Sequence, residues 1–220
     1  REGVLSLDAD LRGDWPRLTH PDFPHAKVSL RHLLSHVSGL RDPETYWMAL
    51  PGAIETLLAQ PIHQPGAGPG RAYTYCNLGF GIAATIMERA TAKRFDQLAH
   101  EYVFHPARLD IGFNWSGVSA AKRRRGITLY EWLEDETPPV TVDGPAVLKG
   151  SEPAVLAQPG YDLDDYVMGS NGTLFSPQGG LRASAEDLAL LAGIVGRAHQ
   201  DQVPTWLKAP GAQLHYSASG

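Results

Sequence analysis

Residues 28–40 read VSLRHLLSHVSGL and carry the signals of one helix with both of its ends. Ser29 carries a hydroxyl that can accept a hydrogen bond from the first turn of a helix. The leucines behind it recur at helical spacing, and Gly39 stands where helices commonly end. The stretch therefore predicts a helix from Ser29 to about Val37 that is closed by Gly39.

Residues 69–81 read PGRAYTYCNLGFG and contain the best candidate for chemistry. On an extended turn, residues two apart point the same way, so Tyr75 and Asn77 are expected to project together into a cleft while Cys76 turns inward. A tyrosine beside a lysine can serve as a general base, and an asparagine can orient that lysine or hold a substrate carbonyl. Taken alone, the same residues also describe a core aromatic beside a capping asparagine.

Further helices are predicted from apolar spacing and from cap residues. They cover Pro51 to Ala59, with Ile54, Leu57 and Leu58 on one face, about Leu78 to Ala90, which should be buried, and Phe95 to Val103. A last helix follows Ser184, which forms a capping box with Asp187. Its core side chains are expected to be Leu188, Leu190, Leu191, Ile194 and Val195.

The region between these helices is less regular. Residues 112–126 are predicted to be irregular, and residues 127–134 fit either a helix or a strand. The Pro-rich residues 137–160 lack periodicity and are predicted to form a long surface excursion.

Composition excludes several classes of function. The 220 residues carry a net charge of -5, and the single basic run, residues 122–125, is soon followed by acidic residues, so no nucleic-acid partner is indicated. No apolar run reaches the ~20 residues of a membrane span. Cys76 is the only cysteine, which excludes an intrachain disulfide. Oligomeric state stays open.

Four stretches together resemble one family. Residues 4–11, 28–40, 69–81 and 176–188 are similar, in this order, to segments of the serine β-lactamase and penicillin-binding-protein-like family, notably its class C, esterase and D-aminopeptidase branches. The resemblance implies an α/β (α+β) fold of the β-lactamase/transpeptidase type, an antiparallel sheet flanked by helices plus a helical region. Residues 1–220 would form a single incomplete domain. Residues 1–170 would be mainly the helical region with the Tyr-x-Asn loop, and 171–220 would return toward the sheet.

The resemblance also implies a function. It identifies a serine hydrolase that forms an acyl-enzyme with a β-lactam, an ester or a D-amino-acid amide, with Tyr75 as general base and Asn77 orienting lysine or substrate. The family's nucleophilic Ser-x-x-Lys is expected upstream of residue 1, so this chain alone is expected to be inactive. No metal or organic cofactor is implied. Family habit favours a periplasmic or secreted location, and a cytoplasmic one stays open.

Three other interpretations stay open. A non-catalytic binding or regulatory module could retain the cleft without the chemistry. Ser119-Ala120-Ala121-Lys122 matches Ser-x-x-Lys literally, but it follows the Tyr-x-Asn and its lysine opens the basic run, so a nucleophile there is disfavoured. His32 and His36, spaced i, i+4, could share a helix face as metal ligands, although packing is the favoured role and a third ligand is not evident.

Overall fold

Helix α3, Leu78–Thr91, forms the centre of the fold. The computed structural model describes residues 3–48, 52–127, 129–131, 140–143 and 166–198. The small residues of α3 let a short 3-10 helix, Gly172–Phe175, pack directly on it. A Cβ on Gly172 would lie 2.4 Å from the backbone nitrogen of Thr85, so only glycine fits this contact. The Gly172 amide donates to the Thr85 hydroxyl at 2.9 Å. The predicted buried helix is confirmed.

Two short helices complete the main core with α3. They are α1, Leu30–Leu34, and α2, Ile54–Leu58, and the predicted apolar face of α2 is buried as expected. A 3-10 turn, Pro16–Leu18, packs there as well. The core cluster consists of aliphatic side chains with one tryptophan and one cysteine, namely Leu11, Trp15, Leu18, Val28, Leu30, Leu33, Leu40, Ile54, Leu57, Leu58, Ile62, Cys76, Leu78, Ile82, Ala83 and Ile86.

The helix predicted from Ser29 begins where expected but ends early. Ser29 accepts a hydrogen bond from the amide of His32, as a cap should. The helix stops at Leu34, and His36 adopts the left-handed conformation with φ of 56°. The extension to Val37 was therefore wrong. Gly39 serves a different purpose, because at its φ of 76° a Cβ would lie 2.5 Å from the carbonyl oxygen of Ala67.

The second half of the described chain combines short helices and antiparallel strands. Helix α4, Phe95–Ala99, continues as a π-helix over His100–Phe104, which ends one residue beyond the predicted helix. Helix α5, Ala120–Arg123, and strand β1, Gly112–Phe113, lie in the region predicted to be irregular, which corrects that prediction. The π-turn and the short elements depend on tertiary contacts, which apolar spacing does not reveal.

The strands pair in two antiparallel sets. Strand β1 pairs with β4, Leu181–Arg182, so that Phe113 lies opposite Leu181. Strand β2, Leu129–Glu131, pairs with β3, Val140–Asp143. Residues 127–134 thus contain a strand, and β3 lies where no regular element was predicted; residues 132–139 and 144–165 fall outside the described part. Helices with antiparallel strands give the predicted α+β class, while the division at residue 170 stays a prediction.

Helix α6, Ala185–Ala198, has the predicted capping box. The Ser184 hydroxyl accepts from the Asp187 amide at 3.2 Å, and the Asp187 carboxylate accepts from the Ser184 amide at 3.0 Å. The inward face carries Asp187, Leu191 and Ile194, which are spaced by four and three residues. Leu188 and Leu190 lie off that face and are about half exposed, at 49% and 52%, so their assignment to the core was wrong. The side chain of Val195 falls outside the described part.

Candidate active site

The loop with the candidate residues lies against the end of α1. The Thr74 amide donates to the His36 carbonyl at 2.8 Å, and the Cys76 amide donates to the His36 Nδ1 at 3.1 Å. Side chains alternate along this loop as predicted, because Tyr75 is 57% exposed whereas Cys76 is buried. Burial and the nearby Asp42 carboxylate raise the pKa of the Cys76 thiol to about 12, so the thiol stays protonated and unreactive.

Tyr75 and Asn77 are brought together. The Tyr75 hydroxyl donates to the Oδ1 of Asn77 at 3.0 Å. The tyrosine is exposed and the asparagine is half-buried at the start of α3. A polar phenol therefore stands at the surface, held by an amide that is anchored to the core helix.

Asp42 was not recognised from the sequence, although it completes this arrangement. Its Oδ1 accepts from the amide of Leu78 at 2.8 Å, and its Oδ2 accepts from the Nδ2 of Asn77 at 2.7 Å. A carboxylate at a helix N-terminus is also favoured by the helix dipole. The available signal was an acidic residue just beyond the stretch 28–40, but nothing local pairs it with a helix that starts 36 residues later.

The ring of His36 packs against the loop that carries Tyr75. The imidazole lies 4.6 Å from the Tyr75 ring, centroid to centroid, and 5.4 Å from that of Phe80. Burial lowers the pKa of His36, although the Asp42 carboxylate opposes this shift. Because Nδ1 accepts the Cys76 amide, the ring has to be neutral at that nitrogen. His36 therefore contacts Tyr75 and Cys76 of the loop as a structural neighbour.

The metal-site alternative loses its geometric basis. His36 lies beyond the end of α1 in the left-handed conformation, so it does not share a helix face with His32. His32 is separately packed, and burial lowers its pKa. Within the residues that the structure describes, no three side chains of the His, Cys, Asp and Glu types come together as ligands.

Ser119 and Lys122 have structural contacts instead of a shared reactive site. The Ser119 hydroxyl caps α5 by accepting from the Lys122 amide at 3.2 Å, and it donates to Asp110 at 2.6 Å. The Lys122 ammonium forms an ion pair with the buried carboxylate of Asp187. Nothing in these contacts activates the hydroxyl as a nucleophile.

Structural comparison agrees with this fold. A class C β-lactamase superposes with a TM-score of 0.55 at 16% identity, over 93% of this chain and 46% of that one. A D-amino acid amidase from Ochrobactrum anthropi SV3 superposes with a TM-score of 0.55 at 17% identity, over 94% of this chain and 53% of that one. At these identities the likeness concerns the fold. Across the described residues, no helix is both long and apolar enough to traverse a bilayer.

Sequence comparison identifies the family. A D-aminopeptidase from Cereibacter sphaeroides is 37% identical over 101 residues, which cover 40% of this chain and 18% of the relative. A penicillin-binding protein from Bacillus subtilis is 28% identical over 95 residues, covering 40% of this chain and 21% of that protein. The matched part is thus about a fifth of these relatives. The family model named Beta-lactamase matches residues 1–215, and the chain belongs to this family.

Proposed function

We propose that this chain is part of a serine hydrolase that works through an acyl-enzyme, with Tyr75 as general base and Asn77 orienting lysine or substrate. The observation that carries the proposal is the hydrogen bond between the exposed Tyr75 hydroxyl and Asn77 at the start of α3. The nucleophile would be the serine of the family's Ser-x-x-Lys motif, which we place upstream of residue 1. Neither Ser119 nor another described serine is needed.

The reaction would proceed in two steps. The serine hydroxyl attacks the substrate carbonyl while its proton passes to the motif lysine or to the phenolate form of Tyr75, and the same proton then leaves with the departing amine or alcohol. Water subsequently attacks the serine ester and gives up a proton to the same base, which passes it to the serine oxygen as the acid is released. In the present arrangement the Tyr75 hydroxyl carries its proton and donates a hydrogen bond to Asn77, so acting as a base requires that this proton first pass to the motif lysine.

The substrate class is proposed from the relatives. A β-lactam, an ester and a D-amino-acid amide all present a carbonyl to the serine. The matched relatives include a D-aminopeptidase and a D-amino acid amidase, and this supports the amide first. D-Amino-acid p-nitroanilides, their L-enantiomers and a chromogenic cephalosporin would separate these classes by kcat/KM.

A fluorophosphonate probe tests the nucleophile. We expect labelling of the longer protein that includes the Ser-x-x-Lys motif, unchanged by Ser119→Ala, and no labelling of the 220-residue chain. Labelling of that chain, lost in Ser119→Ala, would move the nucleophile to Ser119. Absence of labelling in the longer protein would instead favour the non-catalytic binding module.

A further inference from the structure

We propose that Asp42 is a positioning residue, which caps α3 in place of Asn77 and thereby fixes which atom of the Asn77 amide faces Tyr75. This inference rests on the proposed function of Tyr75 and Asn77. In this proposal Asp42 does not touch the substrate. Its role is to orient Asn77, which does.

Helix α3 is capped by Asp42 and not by its own N-cap residue, Asn77. Asparagine is among the preferred N-cap residues, because its side-chain oxygen can accept an amide of the first turn. Asn77 occupies that position but has helical backbone angles, φ -68° and ψ -39°, and makes no side-chain cap. Asp42 accepts the Leu78 amide at 2.8 Å instead, from a loop 36 residues earlier. The Asn77 side chain is thereby released from capping its own helix.

Asp42 also determines which way the side-chain amide of Asn77 points. Ionised carboxylate oxygens only accept hydrogen bonds, so Asn77 has to present its NH2 group to Asp42, at 2.7 Å. The Oδ1 of Asn77 then faces the opposite way and accepts from the Tyr75 hydroxyl at 3.0 Å. Asp42 itself cannot turn freely, since its other oxygen is held by α3. The orientation of Asn77 is thus set from outside the active-site loop.

The orientation of the Asn77 amide matters for the proposed reaction. An oxygen of Asn77 directed at the Tyr75 hydroxyl can hold a protonated lysine or a substrate N–H next to the base. The reversed amide would direct its NH2 group there, and it would repel an ammonium ion. Misplacement of a catalytic group by a small distance can cost a factor on the order of 100 in rate. Asp42 should therefore affect kcat through Asn77.

The decisive variant is Asp42→Asn in the full-length protein. An asparagine at position 42 can keep its oxygen on the Leu78 amide but then offers NH2 to Asn77, whose own amide has to reverse. We expect NMR to show contacts between the Asn77 NH2 protons and the Tyr75 ring that are absent in the wild type. We expect kcat to fall by roughly 10- to 100-fold, with a smaller change in KM.

Asp22→Asn is the matched control. The Asp22 carboxylate also accepts a backbone amide from a distant loop, that of Gly66 at 3.1 Å, but it has no contact with Asn77. Both variants should unfold at similar temperatures, and only Asp42→Asn should lose kcat. An unchanged kcat, or a loss of kcat without reversal of the Asn77 amide, would overturn the inference. If Asn77→Ala also left kcat unchanged, the proposed function itself would fail, while the NMR result would still report on the orientation.

Discussion

The Tyr75 hydroxyl and the Asn77 Oδ1 are joined by a hydrogen bond of 3.0 Å, at the point where an exposed loop enters the buried helix α3. The tyrosine is 57% exposed, so its ring is accessible while its hydroxyl is held. Asn77 is in turn held by Asp42, which also binds α3. These three hydrogen bonds link the hydroxyl of an accessible phenol to the core helix, as the proposed role of Tyr75 as a base requires.

Asn77→Asp should destabilise the protein in a pH-dependent way. The change places a second carboxylate against Asp42, where the native amide now donates at 2.7 Å. Like charges this close disfavour double ionisation, so one of the two carboxyl groups takes up a proton at a raised pKa. We expect the free energy of unfolding of the variant to rise, relative to the wild type, as the pH falls from 7 to 4.5. A urea titration at both pH values checks this, and a constant difference would contradict it.

Stability should decline below neutral pH because three half-buried histidines are kept neutral. Burial lowers the pKa of His32, His36 and His63 in the folded state. The unfolded chain takes up protons at these positions as the pH falls through about 6.5, whereas the folded chain resists until lower pH. Their contribution is therefore fully present above that pH and is lost as the pH falls from about 6.5 toward the folded pKa values. Urea titrations between pH 8 and 5 measure the decline.

The variant His36→Asn measures how much His36 contributes to this loss of stability at low pH. Asparagine tolerates the left-handed conformation found at this position, and its Oδ1 can accept the Cys76 amide as Nδ1 does. The variant should fold and show a weaker loss of stability between pH 7 and 5. An identical pH profile in the variant and the wild type would exclude His36 as a contributor. Glu88, whose pKa burial raises, acts with the opposite sign and is unchanged in both proteins.

Glu88 should be among the most costly side chains to remove. It is fully buried and accepts hydrogen bonds from the Phe95 amide at 2.8 Å, the Tyr166 hydroxyl at 2.5 Å and the Gly169 amide at 3.2 Å. Glu88→Ala leaves these donors without an acceptor, and each such loss costs about 1–3 kcal/mol. We expect the free energy of unfolding to fall by at least about 3 kcal/mol.

Glu101→Ala serves as the control for that measurement. Glu101 is exposed and pairs with Lys93 at 2.6 Å, and exposed ion pairs contribute less than about 1 kcal/mol. Both variants are compared by urea denaturation at pH 7. Equal losses in the two would show that the buried network around Glu88 is not a stabilising feature.

The parts of the fold that could be predicted from the sequence are those set by local chemistry. The sequence predicts the helix caps at Ser29 and Ser184 and the apolar content of α3, because each of these features depends on neighbours within a few residues. The early end of α1 was not, because His36 is turned by its contact with the distant Cys76. Leu188 and Leu190 were misassigned because apolarity does not define a face when Asp187 lies inward, paired with Lys122.

The candidate site shows the same division. The alternation of the loop predicted that Tyr75 and Asn77 lie together, and the structure places them in hydrogen-bond contact. Asp42 was missed, because its role depends on a loop and a helix that meet only in the folded chain. Assignment of Tyr75 and Asn77 to catalysis remains a proposal.

The proposed role of Tyr75 as general base can be tested by the rate at which the full-length protein acylates its serine, measured in the burst phase for Tyr75→Phe and Tyr73→Phe. Tyr73 is a matched control, since it is equally exposed at 58% and also lies beside the His36 ring. A general base contributes about 100- to 10,000-fold, so we predict a loss of that size in Tyr75→Phe and a change below about threefold in Tyr73→Phe. Acylation of Tyr75→Phe at the wild-type rate would exclude Tyr75 as the general base.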